Sequence, residues 1–154
     1  MEAPIEVKVK VLPGGRMPEK KSAGAAAWDC YARISGQSGT IKVLASSEHC
    51  VKIPLGFAIE LPAGYHAEIV PRSSMGFKTG LRMSNSVGVI DSDYRGEVCQ
   101  LLDNVNFANA EFIHDGDRVA QMLIVKDPDV HMTRVETLNE TERGEGGFGS
   151  TGVR

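Results

Sequence analysis

Cysteine is scarce in this chain: Cys30, Cys50 and Cys99 are three residues in 154. No pair has CxxC spacing and an odd number cannot be fully paired, so the sequence offers neither a zinc knuckle nor a disulfide framework. Three reduced, mostly buried thiols in a reducing cytosol are expected. Long apolar runs are also missing. The longest, such as Met122-Leu123-Ile124-Val125, fall far short of the ~20 residues with which a helix crosses a bilayer. Met1-Glu2-Ala3-Pro4 is followed by alternating charges and holds no apolar signal-peptide core. A soluble cytoplasmic protein with no membrane partner is therefore expected. Nor is there a basic excess: 17 Lys+Arg stand against 20 Asp+Glu, a net charge of −3. That argues against a protein that wraps nucleic acid, and no nucleic-acid partner is expected. A compact anionic ligand stays open, because a few well-placed arginines suffice to hold one.

What is present is ordinary globular material. Hydrophobic residues at 42% and charged residues at 24% exclude a disordered or collagen-like chain. A chain of this size forms one domain and buries ~68–70% of its unfolded surface. Period-2 alternation dominates. Ile5, Val7, Val9 and Val11 oppose Glu6, Lys8 and Lys10, and Phe57, Ile59, Leu61 and Tyr65, Ala67, Ile69 repeat the pattern. Turn chemistry separates these runs at Pro13-Gly14-Gly15, Pro54-Leu55-Gly56, Pro62-Ala63-Gly64 and Asp115-Gly116-Asp117. Short strands with such regular turns indicate a sandwich or closed barrel. The fold class expected is all-β, with one helical turn or two over 73–79, where a serine is placed to cap the start. Residues 139–154 hold five glycines and one aromatic and lack a core-forming pattern. They are expected to form a mobile arm on a body spanning 1–138, within the same domain.

Three familiar signatures nearly match and fail on position. Gly144-Glu145-Gly146-Gly147-Phe148-Gly149 fits GxGxxG, but too little chain follows for the helix a dinucleotide site requires. Asp91-Ser92-Asp93-Tyr94-Arg95-Gly96 starts like an EF-hand loop, then puts Arg95 at an oxygen-ligand position and Leu102 at the bidentate glutamate. Gly76-Phe77-Lys78-Thr79 inserts Phe77 where a P-loop needs glycine before lysine.

Five polar clusters survive. In Ala26-Ala27-Trp28-Asp29-Cys30-Tyr31-Ala32, an acid inside an apolar run either binds something or caps a turn. Pro71-Arg72-Ser73-Ser74-Met75-Gly76 reads as a phosphate cradle or as a capped turn with a surface arginine. The stretch from Ser84 to Glu97 reads as a strand, Val87-Gly88-Val89-Ile90, followed by a turn. Its acids are either solvated turn residues or, for Asp91 behind Val89-Ile90, aimed at a pocket. In Gly116-Asp117-Arg118-Val119-Ala120-Gln121, the amide of Gln121 interrupts an apolar strand and needs partners. Arg143-Gly144-Glu145-Gly146-Gly147-Phe148-Gly149-Ser150-Thr151-Gly152 offers one arginine and one aromatic on a glycine frame, suited to a ligand both anionic and flat.

In this order and spacing the clusters resemble the five motifs of the trimeric dUTPases, the dUTP nucleotidohydrolases, from Ala26 to Gly152. The third and fifth stretches are the specific ones. Ala27 and Cys30 stand where that family usually has Gly and Leu, and Ser74 replaces a frequent Gly. The resemblance implies a jelly-roll-like β-barrel, the dUTPase-like β-clip, assembled as a homotrimer with active sites at subunit interfaces. One subunit would supply the first, second and fourth motifs, another the third, and the glycine-rich arm of the remaining subunit would close the site.

The reaction implied is dUTP + water → dUMP + pyrophosphate, which lowers dUTP and supplies the dTMP precursor. By resemblance Asp91 holds the water that attacks the α-phosphorus. Arg72, Ser73, Ser74 and Gln121 match the phosphate contacts, and Arg143 matches the arm residue at the γ-phosphate. Mg²⁺ is the implied cofactor, met by Asp29 through its hydration shell. Phe148 would stack on uracil, with Gly149 and Ser150 beside it in the arm. Asn85, the backbone of Gly88, Val89 and Ile90, and the surroundings of Cys99 would read the base edge. Tyr94 would lie against the deoxyribose and exclude a 2′-hydroxyl. Two rivals remain in view. A dCTP deaminase also carries Arg-Ser-Ser on this fold, but Phe77 stands where that family has a second arginine and Leu101 where its catalytic glutamate falls. The other rival is a regulatory binding protein that senses dUTP, against which intact Asp91, Tyr94 and Phe148 favour an enzyme.

Overall fold

The computed structural model describes residues 4–36, 38–45 and 50–147. The alternating runs form short strands: β1 (Lys8–Val11), β2 (Trp28–Tyr31), β3 (Thr40–Val43), β4 (Val51–Pro54), β5 (Phe57–Glu60) and β6 (Tyr65–Pro71). After a single helix, α1 (Ser73–Lys78), come β7 (Leu81–Met83), β8 (Gly88–Ile90), β9 (Cys99–Asn104), β10 (Glu111–His114) and β11 (Arg118–Lys126). Every ladder is antiparallel. A four-stranded sheet in the order β2-β11-β6-β8 and a three-stranded sheet β4-β9-β7 are joined by the pairs β1-β5 and β3-β10. They enclose one core around Phe57, Ile53, Leu55, Ile69, Leu102 and Ile113. The fold is a jelly-roll-like β-barrel, all-β as the alternation implies.

Turn chemistry falls where the chain reverses. Gly56 (φ +76°) and Gly64 (φ +81°) sit in the left-handed region that only glycine enters without strain. Gly56 also crosses Gly15 so closely that a Cβ on either would overlap the other's backbone.

Three expectations need correcting. No serine caps α1: its N-cap is Arg72, without a side-chain cap bond, because Ser73 and Ser74 are already inside the helix. The helix is instead closed at its far end, where the Thr79 hydroxyl donates to the Met75 carbonyl at 2.7 Å. The cysteines are all free, but only Cys30 is buried; Cys99 is half-buried and Cys50 is exposed. Burial pushes the Cys30 thiol up to about 12. Finally, only part of the apolar face expected from Ile5 to Val11 packs on the core: Val7 and Val9 do, while Ile5 and Val11 are each 42% exposed.

The inward face of β9 carries Gln100, Leu102 and Asn104. Asn104 is satisfied: Nδ2 donates to the Val43 and Asn109 carbonyls and Oδ1 accepts the Asn106 N–H. Gln100 is fully buried with neither amide atom hydrogen-bonded. An unpaired buried amide costs about 1–3 kcal/mol. Gln100→Met, close in volume, should therefore raise Tm by roughly 2–4 °C per kcal/mol recovered; differential scanning calorimetry checks this.

Beyond β11, residues 127–147 enter no strand, and Val130, Met132 and Leu138 are exposed. The root of this segment is pinned by His66 Nδ1, 2.5 Å from Asp127 Oδ1, with Glu68 on the other ring nitrogen at 3.5 Å. Asp127, then Glu68, raise the His66 pKa above its ordinary value. A raised pKa means stability fully present below ~6.5 and lost as pH climbs through the higher folded value. His66→Gln should thus lower Tm more at pH 5.5 than at pH 8.5, as thermal melts at the two pH values would show.

Candidate active site

The first cluster is built by β2, β11 and the end of β6. Gln121 faces Asp29 across one ladder and Val70 across the other. Asp29 is only 4% exposed, a costly place for a carboxylate unless it is paired and hydrogen-bonded. Arg118 Nη1 donates to Oδ2 at 3.0 Å and Gln121 Nε2 to Oδ1 at 3.1 Å. Arg72 Nε lies 3.4 Å from Oδ1 as an ion pair, buried and without a hydrogen bond of its own, while its Nη1 donates to the Arg118 carbonyl.

Arg118 and Gln121 reach one carboxylate because of a β-bulge. In a regular strand residues three apart point to opposite faces. The register between β11 and β2 shifts between Arg118 and Ala120, and the extra residue returns Arg118 to the face of Gln121. A cleft of about 510 Å³ opens beside this cluster, bordered by Arg72, Ser74, Lys78 and Arg118. Ser73 is exposed at the helix start and does not border it.

The second cluster lies at the other end of β6. β8 pairs with β6 through Ala67↔Ile90 and Ile69↔Gly88, and β6 is its only ladder partner among the described residues. Val89, Ile90, Asp91, Tyr94, Glu97, Cys99 and Lys52 surround a hollow of about 180 Å³. Asp91 is exposed at its rim. Cys99 is half-buried, and burial raises its thiol pKa. Asn85 precedes β8 in a turn in which Ser86 adopts φ +61°. Ala67 and Pro71, the residues of β6 beside the two clusters, are about 13 Å apart at ~3.3 Å per residue. The two hollows have no bordering residue in common. Arg143 joins neither: its Nε donates to the Gly146 carbonyl within its own turn. Phe148, Gly149 and Ser150 lie outside the described residues.

A family model for dUTPase matches residues 14–152. The chain belongs to the dUTPase family. It is 45% identical over 152 residues to the deoxyuridine 5'-triphosphate nucleotidohydrolase of Rickettsia prowazekii, covering 97% of this chain and 98% of that one. The enzyme of the same name from Treponema denticola is 39% identical over 150 residues, covering 97% and 99%. Among solved structures, the Staphylococcus bacteriophage 80alpha dUTPase with dUPNHPP superposes with a TM-score of 0.77 at 24% identity, covering 96% of this chain and 99% of that one. A variant of the dUTPase from phage phi11 of S. aureus, in which a structural Mg(II) ion is coordinated, gives a TM-score of 0.72 at 22% identity, covering 86% and 97%. At those identities the two likenesses speak for the fold.

In this dUTPase the donor set favours an ion that arrives with phosphate oxygens over one caged by protein. Among the described residues no group of three or more His, Cys, Asp or Glu side chains converges on a point. Asp29, the carboxylate of the first cluster, is engaged within the chain by Arg118, Gln121 and Arg72. No helix among the described residues is long and apolar enough to cross a membrane.

Arg118 and Lys52 are among the residues that border the hollows and escaped the sequence reading. Arg118 stood inside a quoted motif, but its odd spacing from Gln121 gave no sign of a common face. Lys52 follows an ordinary alternation on β4 and carries no motif signal at all. Arg118→Leu should remove a charged hydrogen bond from a buried carboxylate, costing about 1–3 kcal/mol of stability. The same change should lower kcat/KM for dUTP by about tenfold or more, since a guanidinium is lost from the edge of the cleft. Thermal melts and steady-state kinetics check both.

Proposed function

We propose that the protein hydrolyses dUTP to dUMP and pyrophosphate in sites shared between copies of the chain, assembled as a homotrimer. Its membership of the dUTPase family over nearly its whole length makes it a dUTP diphosphatase. The observation that carries the shared-site reading is the separation of the two clusters. The arginines that suit a triphosphate and the carboxylate that suits an attacking water sit at opposite ends of β6, with no bordering residue in common. A trimer that sets one chain's Arg72 cluster against another's Asp91 hollow joins them.

In such a site Asp91 takes the proton of the water that attacks the α-phosphorus, and its exposed rim position leaves it open to water. Arg72, Ser73, Ser74, Arg118 and Gln121 bind and orient the phosphates; Arg72 and Arg118 border the cleft, where guanidinium groups suit anionic oxygens. The free edge of β8 presents backbone N–H and C=O groups to the uracil edge, beside Asn85 and Cys99, and Tyr94 lies against the deoxyribose. Arg143 and Phe148 on the arm of a further chain meet the γ-phosphate and the base. Mg²⁺, bound with the phosphates, supplies charge neutralisation.

The direct test is pyrophosphate release from dUTP, dTTP, dCTP and UTP, with and without Mg²⁺; only dUTP with Mg²⁺ should turn over fast. Asp91→Asn should bind dUTP yet lose ~10²–10⁴-fold in turnover, the usual span of general-base catalysis. Mixing Asp91→Asn chains with chains truncated before Arg143 should restore part of the activity through mixed sites. A stable, fully active monomer in sedimentation would overturn the shared-site reading.

A further inference from the structure

The turn that carries Tyr94 is fastened to the barrel by a residue pair that the five motifs do not assign. Glu97 is held at three points. Arg33 donates to it bidentately, Nε to Oε1 at 2.8 Å and Nη2 to Oε2 at 2.6 Å, and the Gly56 N–H donates to Oε1 at 2.9 Å. Both side chains are about one-fifth exposed, 22% and 21%. Arg33 is itself fixed, because its own N–H donates to the Pro54 carbonyl at 2.8 Å. The guanidinium holds the Glu97 carboxyl below the usual carboxylate range.

The other face of Glu97 meets Tyr94. The Tyr94 hydroxyl donates to the Glu97 carbonyl at 3.1 Å. The ring is folded back over its own turn, where the missing Cβ of Gly96 leaves room for the phenol oxygen. The hydroxyl is thereby engaged by the protein, and the ring is what borders the hollow shared with Asp91. A ring that acts against a sugar in this way acts by bulk. Bulk excludes a hydroxyl group only if the ring cannot retreat, and residues 93–95 are exposed, held from outside the turn by the long Arg95 Nε–Glu60 Oε2 pair at 3.9 Å.

We propose that Arg33 and Glu97 are positioning residues for sugar discrimination: the Arg33–Glu97–Gly56 lock fixes the carbonyl that anchors Tyr94, and so sets how strongly the site rejects a 2′-hydroxyl. The proposal rests on the reading above that Tyr94 faces the deoxyribose. Arg33 lies outside the hollow and Glu97 borders it; both act through the tyrosine.

The test is the ratio of kcat/KM for dUTP to that for UTP, measured on the purified full chain with Mg²⁺. Glu97→Gln keeps an acceptor for Gly56 but loses the ion pair, and should lower the ratio about tenfold. Glu97→Asp and Arg33→Lys, which keep the charges but not the bidentate geometry, should fall between it and the wild type. Tyr94→Phe breaks the link from the other side and should lower the ratio similarly. The double variant Tyr94→Phe/Glu97→Gln should be no worse than either single one, because one chain of contacts is cut twice. A loss of general stability would instead add and would leave the ratio alone, so melting curves accompany each variant. If Glu97→Gln does not fold, Arg33→Lys and Tyr94→Phe carry the same comparison. A ratio within about twofold of wild type in these variants, while Tyr94→Ala lowers it, overturns the lock and spares the sugar reading. An unchanged ratio in Tyr94→Ala overturns the sugar reading and the lock with it.

Discussion

The structure turns on one buried charge. Asp29 sits in the middle of a hydrophobic strand at 4% exposure, where an unpaired carboxylate would cost several kcal/mol. Two segments far apart in sequence converge on β2 to compensate it: the end of β6 with Arg72, and β11 with Arg118 and Gln121. Meeting that demand fixes the register of β2 on β11 and the bulge in β11. It also decides where the cleft beside Asp29 opens, because the guanidinium groups that serve Asp29 are the ones at its edge. A neutral residue at position 29 would leave two arginines facing each other without a counter-charge.

β6 acts as the ruler of the site. One end delivers Arg72 and the start of α1, while near the other it holds β8 and, beyond it, Asp91. A strand cannot be shortened without unmaking its ladder with β11, so the two clusters stay apart within one chain. In the proposed trimer a second chain closes the gap. The arm after Lys126, with its exposed apolar residues, leaves the barrel at the same end as His66 and Asp127.

The hollow near Asp91 is shaped by restraint more than by depth. β8 is short and is an edge strand among the described residues, and the turn after it is exposed. What keeps that turn in place is the Glu97 anchor on one side and the Val98 ladder bonds to Leu55 and Phe57 on the other. On the proposed reading, stability and recognition draw on the same few contacts, so Arg33, outside the hollow, matters to what enters it.

Much of this was legible in the sequence. Alternation at Phe57, Ile59 and Leu61, and turns at Gly56 and Gly64, sufficed for an all-β barrel, because period-2 burial and left-handed glycine are local properties. The order of the five clusters sufficed for the family, and Asp29, Arg72 and Gln121 do come together. What stayed hidden depends on register. The bulge that turns Arg118 toward Asp29 inserts one residue into a pairing no single strand encodes. Arg33 and Glu97, 64 residues apart, become partners only when the β2–β3 connection passes the turn after β8. Lys52 reaches the Asp91 hollow because β4 lies beside β9, a neighbour set by the barrel's closure. Sequence alone determined which residues alternate, turn and carry charge; the tertiary structure decided which charges meet, because that depends on strand neighbours and offsets that local preferences do not specify.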